Sequence, residues 1–208
     1  MAVARVADEH LSPLRIAQPE MRALADEFDA VCSAFFREGD EIVVKERSAS
    51  RSNLGWSVAR GTRLPLKPPA GTNFVSWSAR AVADTLIDTM MPDISDAYRA
   101  ELHAGIAYTR KVGFQTVLYR EADRPRSMGW LRDEPDADAP ITVATQIEPD
   151  DRYPLASLTA PVFDAQHEVA FLIGLMGFSG EQSGAEIFRM GRRLTDTCER
   201  VSEFLAGR

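Results

Sequence analysis

The sequence predicts an α+β fold in which helices pack on an antiparallel sheet. Three observations predict it. Residues 30–36 and 41–47 are apolar or β-branched runs joined by a short polar turn, and residues 155–163 and 168–176 repeat the pattern, so each pair reads as a hairpin. Between and after them lie stretches with helical spacing of apolar residues. The order is helix, hairpin, helices, strand, hairpin, helix, which leaves the strands to pair antiparallel.

Each element has its own signal. Residues 2–28 read as helix in two pieces punctuated by Pro13 and Pro19, with Met21, Leu24 and Phe28 at helical spacing in the second. Gly39 is free to take positive φ in the turn over 37–40. Residues 48–61 read as irregular, or as a weak third strand through Trp56 and Val58. Residues 63–66 are extended, Pro68 and Pro69 stiffen the chain just after them, and a helix is expected from near Asn73. A helix over 95–112 closes with Arg110 and Lys111 at the negative end of its dipole and Gly113 as its cap. Residues 114–119 form a strand. The Asp- and Pro-rich stretch 120–152 is the least legible, a flap or an excursion from the sheet with a β-like piece at 141–147.

The strand over 168–176 is apolar on both faces, so helices cover it on both sides or it walls a cavity. Pro161, in its hairpin partner, argues for an edge or a bulge. In the last helix Ser183 and Glu186 form a capping box. Ile187, Met190, Leu194, Cys198, Val201 and Leu205 make one apolar stripe along it.

Composition narrows the function. The 208 residues are 45% hydrophobic and 26% charged, an ordinary globular balance with enough chain to bury a core. Lys and Arg number 24 against 31 Asp and Glu, a net charge of -7, so the chain has no cationic surplus for phosphate backbones and is expected not to bind DNA itself. Arg189, Arg192 and Arg193 sit among Glu186, Asp196 and Glu199, a mixed solvated face. The two cysteines, Cys32 and Cys198, build no disulfide framework. No apolar run reaches the ~20 residues of a bilayer span, and Asp8, Glu9 and His10 interrupt any signal-peptide core. These features predict a cytoplasmic protein with no membrane partner.

Little in the sequence points to catalysis. His10, His103 and His167 show no metal-ligand spacing. Cys32 lies on a strand and has an orientation towards a pocket open to it, but strand cysteines commonly act as small buried hydrophobes. Cys198 belongs to the last helix's stripe. Asp133, Glu134, Asp136 and Asp138 read as a solvated loop without calcium-loop spacing. Met90 and Met91 are expected to close a helix against the sheet. No catalytic residue, metal or cofactor is assigned.

Two passages carry a family resemblance. Gly61-Thr62-Arg63-Leu64-Pro65-Leu66 followed by Ala70-Gly71, and Leu158-Thr159-Ala160-Pro161-Val162-Phe163-Asp164 followed by an apolar strand ending at Gly177 and a capped terminal helix, resemble the C-terminal effector-binding domain of IclR-family transcription regulators. The passage 107–117 resembles the family's middle section. The resemblance implies a GAF/profilin-like fold: a curved antiparallel sheet carrying a ligand pocket on one face, closed by the segment after Leu64-Pro65-Leu66. It implies dimers or tetramers. It also implies a linker-like helix over residues 1–19 and the effector domain over 20–208. About 28 residues precede the first strand, too few for the family's winged helix-turn-helix, so that reader half is expected to be lacking from these 208 residues.

The resemblance also implies site residues. Ala70 and Gly71 stand where small residues offer backbone N–H groups to a ligand. Ser157 stands where a polar side chain on the hairpin often contacts ligand. Trp56 and Leu155 fall where the family lines its pocket. The family often places two hydroxyl residues on the last strand, and here Gly174 and Met176 replace them. Losing both hydroxyls favours a more apolar or aromatic effector. The sequence thus predicts a small-molecule sensing domain of a regulator. The alternatives are an enzyme or carrier that has reused the pocket for a hydrophobic metabolite, and a purely structural dimerisation module.

Overall fold

A computed structural model describes residues 2–53, 58–120 and 141–207, with side chains of the first helix described from Pro13 onward. In chain order the elements are α1 (Ala2–Glu27), β1 (Val31–Glu38), β2 (Glu41–Ala49), a 3-10 turn (Arg51–Asn53) and β3 (Arg63–Pro65). There follow a second 3-10 turn (Ala70–Phe74), α2 (Arg80–Met90), α3 (Asp96–Val112), β4 (Gln115–Tyr119) and β5 (Ile141–Val143). β6 (Arg152–Tyr153), β7 (Leu155–Phe163), β8 (Val169–Met176), β9 (Gln182–Ser183) and α4 (Gly184–Leu205) complete the chain. Seven strands form one curled antiparallel sheet in the order β3-β2-β1-β8-β7-β4-β5, while β6 pairs with β9 apart from it.

Strand alternation gives the sheet two apolar faces. Cys32, Ala34 and Phe36 of β1, Leu158 and Val162 of β7, and Phe171, Ile173 and Leu175 of β8 meet α1 and α4 through Met21, Leu24, Met190 and Leu194. On the other face Val31, Phe35, Ile42, Leu172 and Met176 meet Leu66, Phe74 and Val75 of the second 3-10 region, Leu86 of α2 and Ile106 of α3. Both expected covers of the apolar strand are therefore present, and each fully buried Leu or Phe contributes about 1.5–3 kcal/mol.

Several expectations change. Residues 2–28 form one α-helix rather than two pieces, with Pro13 and Pro19 inside it. Each interior proline costs about 3 kcal/mol of helix; burial of Leu14, Ala17, Met21 and Leu24 in the core beside α4 offsets this. The helix expected near Asn73 is a 3-10 turn, and α2 begins only at Arg80. Arg110 of α3 donates to the carbonyls of Ser76 and Ser78, the acceptors that an earlier α-helix would use. In the stretch 48–61, Ser48 and Ala49 finish β2, Arg51–Asn53 forms a 3-10 turn, and Val58 joins no strand, while Trp56 lies outside the described residues. Asn53 donates its side-chain amide to the Asp29 carbonyl (2.7 Å) and holds the turn. The β-like piece at 141–147 is a strand only over Ile141–Val143; the Ile147 amide instead donates to the Tyr108 hydroxyl at 3.1 Å. The capping box is half made. Ser183 Oγ accepts from the Glu186 amide, but the Glu186 carboxylate turns to Arg189. Met91 packs on Ile87, Tyr98 and Leu102 between α2 and α3, while Met90 packs there and also against the cluster on the sheet's second face.

Other expectations hold. α3 starts at its Ser95 cap and ends on Gly113 at φ 91°. The hairpin β7–β8 matches its expected bounds within a residue. β4 begins opposite Thr159, so β7 beyond that point is an edge, and Pro161 stands there with no ladder N–H to lose.

Candidate functional site

A cavity of about 70 Å³ lies on the second face of the sheet, beneath the Ala70–Phe74 turn. Its wall is mostly apolar, from Phe35 of β1, Phe74 of the turn, Ile141 of β5 and Leu172 and Met176 of β8. A bulge shapes the β7 side. Val117 pairs with Ser157 but Leu118 pairs with Leu155, leaving Ala156 as the extra residue, so Ala156 and Ser157 both border the cavity. The bulge also decides where Leu155 points: it lies in the core beneath α1 and α4.

Besides the Tyr119 phenol, the wall is polar where β4 and β7 meet. Gln115 and Thr159 are directly opposed across β4 and β7, and Ser157 is two residues along on the same side. Gln115 is 1% exposed, and its Nε2 donates to Thr72 Oγ1 at 2.7 Å. Thr72 spends its own proton on the Pro69 carbonyl, also at 2.7 Å. A hydroxyl has one proton, so Thr72 can only accept from Gln115, which fixes the amide's orientation. Asn73 Nδ2 donates to Thr159 Oγ1 (2.7 Å) and to its carbonyl (3.1 Å). Trp77 Nε1 donates to Asn73 Oδ1 at 3.3 Å. These bonds tie the 3-10 turn to the sheet at the polar end of the cavity.

The site residues drawn from the sequence divide accordingly. Ala70, Ser157 and Met176 border the cavity. Gly71 is buried beside it, and its amide is already committed to the Lys67 carbonyl at 2.8 Å. Gly174 lies on the same face of β8, roofed by Phe35 and Thr159, so that a Cβ there would stand 3.0 and 2.7 Å from them. Leu155 is turned to the other face, and Trp56 lies outside the described residues, as does the acidic run at 133–138. Gln115, Thr159 and Phe35 were not singled out. Thr159 is visible in the sequence as the same-face neighbour of Ser157, but Gln115 joins them only through the β4–β7 register.

The nucleophile candidates lie elsewhere. Cys32 and Cys198 are both buried between the sheet and α4. Burial pushes both thiols up from their ordinary range, and for Cys32 the proximity of Cys198 adds to this. His103 pairs with Asp84 of α2 at 2.8 Å. Among the described residues no cluster of His, Cys, Asp or Glu is arranged to hold a metal ion, and no helix is long and apolar enough to cross a membrane.

No protein-family model matches the sequence, and no curated protein matches it. Solved structures do match. The C-terminal domain of the E. coli transcriptional regulator KdgR aligns at TM-score 0.61 and 15% identity, over 93% of this chain and 98% of that one. A domain of a putative IclR-family transcriptional regulator aligns at 0.64 and 13%, over 93% and 97%. The Thermotoga maritima IclR aligns at 0.64 and 11%, over 94% of this chain and 69% of its own. The fold is therefore that of the C-terminal domain of IclR-type regulators, and none of the described elements forms a winged helix-turn-helix.

Proposed function

We propose that this chain is the effector-sensing domain of an IclR-type transcription regulator, binding a small, largely apolar or aromatic molecule. The observation that carries the reading is the cavity between the curled sheet and the Ala70–Phe74 turn, largely apolar, with polar groups from Gln115, Ser157 and Thr159 and the ring of Tyr119 in its wall. Tyr119 is the one titratable side chain in its described wall, and a lone phenol without a carboxylate, imidazole, amine or thiol beside it supports binding rather than turnover. The turn that roofs it is bonded to the sheet through Asn73, and the segment just after the turn is bonded to α3 through Arg110. A ligand beneath it therefore acts on segments that span the second face.

In this reading Ala70, Ser157, Gly174 and Met176 shape the ligand's environment, with the Ala70 amide as backbone donor. The chain self-associates as a dimer or tetramer in the cytoplasm and leaves DNA contact to another polypeptide segment or partner. A thermal-shift screen against hydrophobic metabolites and small acids tests it. Ligand at a hundredfold excess over Kd adds about 2.7 kcal/mol of stability. A uniformly silent screen sinks the sensing role. A sequence-specific mobility shift of duplex DNA at physiological salt sinks the assignment of DNA contact elsewhere.

A further inference from the structure

We propose that the ligand is an uncharged molecule with a single hydroxyl group, which donates to Gln115 Oε1 while its oxygen accepts from the Thr159 hydroxyl. This rests on the sensing reading above and narrows its ligand class. The proton inventory carries it. Thr72 can only accept from Gln115, so the amide nitrogen faces Thr72 and Oε1 is left as an acceptor in a side chain that borders the cavity. Oε1 has no hydrogen-bond partner among the described residues, although Gln115 is 1% exposed. Oε1 is not sealed in the core like the unpaired Thr116 hydroxyl; it opens on the cavity, within reach of a ligand donor.

Thr159 supplies the complement. Its Oγ1 accepts from Asn73, so its own proton is available to a ligand oxygen. Gln115 and Thr159 are opposed across the β4–β7 ladder, so one hydroxyl can meet both. A carboxylate does not suit this spot. No Lys, Arg or His borders the cavity among the described residues, and Gln115 presents the negative end of its amide dipole. Moving an unpaired anion into such a site is unfavourable. The remaining wall, Phe35, Phe74, Leu172 and Met176, takes an apolar body. Met176 is the adaptable part, because its thioether has three rotatable bonds.

The test uses the full chain with methyl-labelled Met and Ile, titrated separately with benzyl alcohol, toluene and benzoate. Shifts of the Met176 and Ile141 methyls report occupancy of the cavity. Benzyl alcohol is expected to bind at least about tenfold more tightly than benzoate. Gln115→Met is expected to weaken benzyl alcohol by about tenfold and leave toluene nearly unchanged. Toluene binding by the variant shows its cavity intact; if the variant does not fold, the comparison of benzyl alcohol with benzoate on the unaltered chain decides. Equal affinity for those two overturns the proposal and leaves the sensing reading standing. No methyl shift with any of the three overturns the sensing reading, and the proposal with it.

Discussion

The Phe163 amide donates to the Ser202 hydroxyl at 2.8 Å, and Ser202 passes its own proton to the Cys198 carbonyl at 2.7 Å. This bond closes the edge that β7 exposes beyond the start of β4. Pro161 contributes no donor there, and Cys198 Sγ lies 3.6 Å from the Ala160 carbonyl. The free end of β7 is thus sealed by α4 side chains rather than by another strand. Ser202→Ala is expected to strand the Phe163 amide and cost about 1–3 kcal/mol. Urea denaturation at fixed pH checks it, and an unchanged midpoint would show that solvent replaces the hydroxyl.

Helix propensity and packing disagree at Gly191. In an exposed helix Gly→Ala gains about 1 kcal/mol. A Cβ at Gly191 would stand 2.2 Å from Phe114 Cζ, and Phe114 is 2% exposed. Packing wins, so Gly191→Ala is expected to destabilise by about 1–3 kcal/mol. A stabilised variant in a thermal melt would mean the Phe114 ring can move aside.

Gly174 sets the shape of the cavity's β8 side. A Cβ there would meet Thr159 Cγ2 at 2.7 Å, Phe35 Cε2 at 3.0 Å and the Leu158 carbonyl at 3.1 Å. Gly174→Val is expected to push Phe35 and Thr159 into the cavity, lower stability by about 1–3 kcal/mol, and abolish any ligand-induced thermal shift. A ligand shift that survives in the folded variant would place the ligand away from this strand.

The two thiols report opening of the helix-covered core. Burial holds Cys32 and Cys198 protonated, and the thiolate is the reactive form. An aromatic disulfide reagent at neutral pH is expected to find neither in the native chain and both in denaturant. Fast labelling of the native chain would contradict their burial.

Arg189 hydrogen-bonds the Glu186 carboxylate and holds it below its ordinary value of 4.5. A depressed carboxylate contributes stability above its ordinary pKa and loses it as pH falls through the folded value. The pair is about half exposed, so Glu186→Gln is expected to cost less than ~1 kcal/mol at pH 7. That difference is expected to shrink on acidification through the carboxylate range and in high salt. Denaturation midpoints of both forms from pH 7 to 3 measure it, and a gap that widens on acidification would reverse the assignment.

The amino-acid pattern by itself determined the class of fold and most strand and helix limits. Two hairpins, a helix between Ser95 and Gly113 and the apolar stripe of α4 are local signals, carried by residues a few positions apart. The family resemblance, rather than the pattern alone, pointed to Ala70, Ser157 and Met176, and these three border the cavity. The tertiary structure decided what depends on distant partners. Burial against α4 carried α1 through Pro13 and Pro19, and Arg110, 34 residues away from Ser76, held back the start of α2. A one-residue bulge opposite Val117 turned Leu155 to the helical core and brought Ala156 to the cavity. The β4–β7 register set Gln115 against Thr159. Strand alternation assigns a face only when the register is known, and register is a property of two strands, so no single run of residues encodes it.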